Sequence, residues 1–148
     1  MAIYVTSDAH GHVRALDEAL SKISLTSDDT LYVLGDMIDR GPDPVGVIKL
    51  VRSLPNARVL KGNHEQIMLD AIIGQDPLDA ETWDINGGWT TREQLNDMEF
   101  EAYEELVRWM AALPLYAVAE TEERPYLLVH AGIEMKAARA FLLEHGVD

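Results

Sequence analysis

The chain has 148 residues, 47% of them hydrophobic and 26% charged, which is the size and balance of one globular domain spanning 1–148. Acidic residues number 26 against 12 basic ones, and the resulting net charge of −14 argues against a nucleic-acid backbone or an anionic membrane as partner. Cysteine is absent, which excludes disulfides, thiolate nucleophiles and Cys-ligated metals; a phosphorylated substrate stays open, because bound cations reverse the local field.

The opening Met1-Ala2-Ile3-Tyr4-Val5 has neither a basic region nor a long apolar stretch, so a cytoplasmic protein is expected. Ala2–Thr6 reads as a short strand ending at Ser7-Asp8. Apolar residues at Val13, Leu16, Ala19, Leu20 and Ile23 have helical spacing, which predicts a helix over Val13–Ile23. Thr30–Leu34 is a second strand, closed by Gly35-Asp36. Pro44–Leu54 reads as a helix with proline in its first turn and Val47, Ile48, Val51 and Leu54 on one face. Ala57–Leu60 is a third strand, and Glu65–Ile73 a further helix.

The middle of the chain loses this rhythm. Gln75–Asn96 holds Pro77, Asn86-Gly87-Gly88 and two tryptophans without a sustained period, and is expected to be a loop-rich insert with short helices. Phe100–Ala112 is helical and stops before Pro114. Leu115–Ala119 and Tyr126–Val129 read as a hairpin around the charged turn Glu120–Pro125, and Met135–Leu143 as a last helix. Strands alternating with helices imply an α/β architecture, a parallel or mixed sheet with helices on its faces. Runs such as Tyr126–Val129 are too short to span a bilayer.

Residues able to bind metal stand where the strands end. Asp8 and His10 follow the first, Asp36 and Asp39 the second, Asn63 and His64 the third, and His130 the last. Loops leaving the carboxyl ends of strands in α/β sheets converge on one crevice. A lone Asp-X-His is more often a turn than a ligand pair; four strand ends presenting carboxylate, amide or imidazole together are much harder to reach by chance. Carboxylate with imidazole and no thiol suits manganese, iron or zinc.

Four segments occur in order: Ser7-Asp8-Ala9-His10-Gly11, Gly35-Asp36-Met37-Ile38-Asp39-Arg40-Gly41, Gly62-Asn63-His64-Glu65 and Val129-His130-Ala131-Gly132. They resemble the motifs of calcineurin-like metallophosphoesterases, in the phosphoprotein-phosphatase branch, and lambda-type bacterial and phage Ser/Thr phosphatases look most similar. The Trp83–Gly88 stretch resembles an Asn-Gly-Gly segment of that group. The resemblance implies a β-sandwich flanked by helices and a binuclear centre of two divalent ions, Mn2+ first, with Fe, Zn, Ni or Co as other occupants. It implies Asp8, His10 and Asp36 at one metal, and Asp36, Asn63 and His130 at the other. A hydroxide between the ions would attack phosphorus. His64 would protonate the leaving oxygen, Asp39 would orient His64, and Arg40 with Lys61 would bind phosphate.

Two departures from the pattern stand out. Lys61 occupies a position where these phosphatases commonly carry arginine. A later Gly-His motif has no match after His130; His145-Gly146 has the reverse order and reads as a helix end. The pattern therefore implies a domain whose C-terminal strands and last metal ligand are missing. His12 is expected to be exposed in the first turn of a helix, and Trp83, Trp89 and Trp109 to be packing residues.

The expected activity is hydrolysis of phosphomonoesters, with a phosphoserine/phosphothreonine protein or a small phosphoester as substrate. Symmetrical diadenosine tetraphosphatase is the enzymatic alternative, and Asp39-Arg40 and Glu65 fit the protein-phosphatase versions of their motifs better. A non-catalytic metal-binding remnant of the fold is the alternative from another class.

Overall fold

A computed structural model describes residues 2–74 and 76–146. Three short strands, β1 (Ile3–Thr6), β2 (Thr30–Val33) and β3 (Ala57–Val59), form a parallel sheet in the order β1-β2-β3. The register pairs Ile3 with Thr30 and Leu31 with Ala57. β2 is central, and its Leu31, Tyr32 and Val33 are all buried, as a strand covered on both faces requires.

Helix α1 (Val13–Ile23) has the bounds that its periodicity predicts. Its partner α2 (Pro44–Ser53) starts on two local signals, with Pro44 in the first turn and the Asp43 side chain accepting the Gly46 N–H at 2.8 Å. α2 buries Val45, Val47, Ile48 and Val51 in the core beside Leu31, Val33, Met37 and Ile38. Each such side chain contributes on the order of 1.5–3 kcal/mol by leaving water. That core lies directly beneath the loops leaving β1 and β2, so those loops rest on a close-packed floor.

Helix α3 (Asn63–Ile73) begins two residues earlier than the spacing predicts. Gly62 is its N-cap, and Glu65 in the third helical position accepts the Gly62 N–H at 2.8 Å, half of a capping box. Asn63 and His64 thus belong to a helical first turn and not to a loop.

The insert is more helical than its composition suggests. Asp76 caps α4 (Pro77–Ile85) by accepting the Leu78 N–H at 2.9 Å, and Asn86-Gly87-Gly88 leads into α5 (Trp89–Asn96). Only Trp83 of α4 is buried, so the segment never shows the periodic apolar face by which helices are read from sequence. Gln75, at the start of the expected insert, lies outside the described residues.

After α6 (Phe100–Ala111), β4 (Tyr116–Glu120) and β5 (Pro125–Val129) form the expected antiparallel hairpin, with Tyr116 opposite Val129. The Tyr32 hydroxyl donates to the Val118 carbonyl at 3.3 Å and ties the hairpin to the parallel sheet. α7 (Met135–Glu144) follows, and none of its residues is buried. Seven helices and two sheets among the described residues make the mixed α/β arrangement that alternation predicts. No described helix is long and apolar enough to cross a membrane.

Candidate active site

The loops after β1 and β2 are bound to each other through their backbones. Asp8 N–H donates to Gly35 O at 3.1 Å, His10 N–H to Asp36 O at 2.9 Å, and Gly11 N–H to Met37 O at 2.9 Å. A side chain at Gly35, which has φ +98°, would strike the backbone nitrogen of Gly62, so the second and third loops touch because that position has no Cβ. Strain concentrates in the same place. Asp8, His10, Asp36, Asp39 and Arg40 all have positive φ, between 39° and 67°, and Ser24 is the one other non-glycine described residue that does. Each such conformation costs on the order of 1 kcal/mol or more and persists only where surrounding contacts enforce it.

Three imidazoles are oriented alike. His10 Nδ1 faces the Ile38 carbonyl at 2.9 Å, and His130 Nδ1 faces the Leu34 carbonyl at 2.7 Å. His64 Nδ1 faces Asp39 Oδ2 at 2.7 Å. With an acceptor at each Nδ1, the proton belongs there, and the Nε2 lone pair of each ring points into the space around Asp36. Asp36 oxygens lie 3.7 Å from His10 Nε2, 4.0 Å from His64 Nε2 and 3.4 Å from His130 Nε2. Asn63 Oδ1 lies 2.9 Å from His130 Nε2, and an Asp8 oxygen 3.8 Å from His10 Nε2. Such a convergence of lone pairs is the donor set of a cation.

Among the described residues, two groups can hold a metal ion: His10, Asp36 and His64, and Asp8, Asp36 and His130. Asp36 belongs to both. These groupings cut across the pairs implied by motif order, because all the donors crowd around one carboxylate.

Arg40 spans the remaining gap. One guanidinium nitrogen lies 3.1 Å from His10 Nε2, and the other 2.9 Å from His64 Nε2. The guanidinium therefore stands beside the candidate metal donors. Lys61 is differently placed. Its ammonium donates to the Ala111 carbonyl at 3.0 Å, satisfying the C-terminal end of α6.

Motif reading did not single out three contacts. Glu65, fully buried, accepts N–H donors from Asp36, Met37 and Gly62, each at 2.8 Å. Burial pushes its carboxyl above the ordinary value, and the three donors pull it back. Thr91 donates its hydroxyl to Asp39 Oδ1 at 2.6 Å and accepts the Asp39 N–H at 2.9 Å. Trp83 packs in the core as expected, and its indole N–H also donates to both Asp39 oxygens, at 3.1 and 3.2 Å. His12 caps α1 and is exposed, and His145 follows the last turn of α7 with Nδ1 2.9 Å from the Phe141 carbonyl.

The profile of the calcineurin-like phosphoesterases matches residues 1–145. The chain belongs to that family. Among curated proteins, this phosphoesterase is 32% identical over 136 residues to a symmetrical bis(5'-nucleosyl)-tetraphosphatase of Erwinia tasmaniensis, which covers 90% of this chain and 45% of the relative. The chain thus spans about half the length of the curated relatives it matches. Among solved structures, a metallophosphoesterase from Sphaerobacter thermophilus superposes with a TM-score of 0.56 at 27% identity, over 79% of this chain and 42% of that one. A protein serine/threonine phosphatase from Saccharomyces cerevisiae superposes with a TM-score of 0.65, over 89% of this chain and 38% of that one. At 21% identity the yeast likeness speaks for the fold alone. The curated relatives favour the tetraphosphatase alternative over the protein-phosphatase reading drawn from the motifs.

Proposed function

We propose that this phosphoesterase hydrolyses a phosphoanhydride bond of a dinucleoside polyphosphate, with diadenosine tetraphosphate as the reference substrate. One observation carries the reaction type: the Asp36 carboxylate lies within 4.0 Å of three imidazole Nε2 atoms, beside the buried His64–Asp39 pair. The substrate class rests on the similarity to symmetrical tetraphosphatases.

In this reading Asp8, His10 and Asp36 hold one divalent ion, and Asp36, Asn63 and His130 hold a second. Mn2+ is the first candidate on the hardness of the donors. Bound ions supply an acidified water nucleophile and positive charge against the phosphate oxygens. Arg40 binds those oxygens through its two-pronged guanidinium. His64 takes up a second proton on Nε2 and would deliver it to the departing oxygen, while Asp39 holds the Nδ1–H and stabilises the doubly protonated ring. Lys61 is the second phosphate-binding residue of this reading: its ammonium gives one N–H to the Ala111 carbonyl and keeps the others for a phosphate oxygen.

The test is turnover of diadenosine tetraphosphate and of a phosphoserine peptide, side by side, in excess Mn2+. Preferential hydrolysis of the dinucleotide supports the proposal. Preference for the peptide returns the protein-phosphatase reading, and metal binding without turnover of either leaves a metal-binding module.

A further inference from the structure

The α4–α5 segment contributes no ligand and no charged group to the site, yet it encloses Asp39. Thr91 and Trp83 both donate to the Asp39 carboxylate that His64 faces. Oδ1 takes the Thr91 hydroxyl at 2.6 Å and the indole N–H at 3.1 Å, while Oδ2 takes His64 Nδ1 at 2.7 Å and the same indole at 3.2 Å. The carboxylate therefore takes four contacts from three donors, the indole N–H being shared between its oxygens, and has no freedom to rotate. Asp39 and Thr91 are 0% exposed, His64 1% and Trp83 3%, so water cannot replace a lost donor without opening the core.

The segment also holds the backbone. Asp39 N–H donates to Thr91 Oγ1 at 2.9 Å, and Arg40 N–H to Gly87 O at 3.0 Å. These two residues both have φ +67°, a conformation that side-chain-bearing residues avoid. Two independent sets of bonds from the same segment thus enforce one carboxylate orientation.

We propose that Trp83 and Thr91 are positioning residues, which fix Asp39 so that His64 keeps its Nδ1–H on Asp39 and aims Nε2, with the second proton it takes up there, at the leaving oxygen. The kinetic part rests on the function proposed above; the part concerning the His64 tautomer does not. Neither side chain touches the reacting atoms. Each acts through the orientation of a group that does, and small errors there cost rate more than binding.

The variants are Trp83→Phe, which keeps the packing and removes the N–H, and Thr91→Val, which keeps the shape and removes the hydroxyl. Thr91→Ser is the conservative control. In the metal-free protein, the His64 Nδ1 proton is followed by NMR of 15N-labelled histidine. Wild type and Thr91→Ser should show a protected, slowly exchanging Nδ1–H, and the other two a fast-exchanging or mixed tautomer. With Mn2+ bound, Trp83→Phe and Thr91→Val should lower kcat for the dinucleotide about 10- to 100-fold with KM little changed, and Thr91→Ser should retain most of it. An activated aryl phosphate should lose much less, because its leaving oxygen needs little protonation.

A wild-type His64 signal in both Trp83→Phe and Thr91→Val overturns the proposal, as does an equal loss on both substrates. If the wild type hydrolyses no phosphoester, the proposed function fails, and the His64 signal still decides the positioning role. If one variant does not fold, the other carries the test.

Discussion

Glu65, in the first turn of α3, accepts the backbone N–H of Asp36 at 2.8 Å and so joins the third loop of the site to the carboxylate at its centre. The same side chain takes Met37 N–H and Gly62 N–H, so a single buried group pins a backbone in which Asp36 has φ +52°. Glu65→Gln replaces one acceptor oxygen with an amide donor facing an N–H. One buried donor is then left unsatisfied, which costs about 1–3 kcal/mol. Urea unfolding should show a lower midpoint with an unchanged slope. An unchanged midpoint would mean that the loop is held by its other contacts.

Asp36 is the one residue shared by both candidate metal groups. Asp36→Asn removes a charge from both at once, so affinity should fall about tenfold or more for each of two ions. Asn63→Ala removes an oxygen that faces only His130, and should weaken one ion while sparing the other. Calorimetric titration of Mn2+ into the two variants distinguishes these patterns. Equal losses confined to one ion in both variants would show that Asp36 does not bridge.

How much of this could be read from the chain depends on the distance over which each feature is encoded. Asp8, His10 and Asp36 are placed together by the sequence pattern because each follows a short apolar run, and strand ends in a parallel sheet share one edge; His130 follows β5 of the antiparallel hairpin, so only its motif points to the site. The extent of α1 was legible for the same local reason. α3 starts two residues before its apolar spacing because the start is set by a cap, Glu65 accepting the Gly62 N–H three positions back, and not by buried side chains. The partners of Asp39 left no local trace. Thr91 is 52 residues away and Trp83 is 44 residues away, and nothing in an aperiodic segment says which buried polar group will find which acceptor. The contact of the Lys61 ammonium with the Ala111 carbonyl likewise depends on the packing of α6, which no motif carries.

Asp29 offers a pH test remote from the site. Its carboxylate accepts Ala2 N–H at 2.6 Å, Thr26 N–H at 3.0 Å and the Thr26 hydroxyl at 2.8 Å. These bonds, the one from Ala2 foremost, hold its pKa below the ordinary 3.8. A depressed folded-state pKa contributes stability above the unfolded value, and that stability is lost as pH falls through the depressed one. Asp29→Asn should therefore be less stable than wild type near neutrality, and the gap should close under acid. Thermal melts at about pH 7 and about pH 3 read the difference. A gap of constant size would mean that the charge on Asp29 contributes nothing.

His64→Asn tests the division of labour at the centre of the site. The amide preserves approximate size and can still donate toward Asp39, but it cannot carry a proton to a departing oxygen. His64 N–H also donates to Asp36 Oδ1 at 3.0 Å, a backbone contact that the substitution leaves in place. Metal affinity should accordingly change little if the ions are held by Asp8, His10, Asp36, Asn63 and His130. Turnover should fall most where the leaving group is most basic, by about 10²–10⁴-fold, and least for an activated aryl phosphate. The measurement pairs Mn2+ titration of the variant with rates on a series of phosphoesters of graded leaving-group pKa. A uniform loss across that series, together with weakened metal binding, would place His64 among the ligands, as its grouping with His10 and Asp36 allows. Intact metal binding with a loss that steepens as the leaving group becomes more basic would assign it the proton.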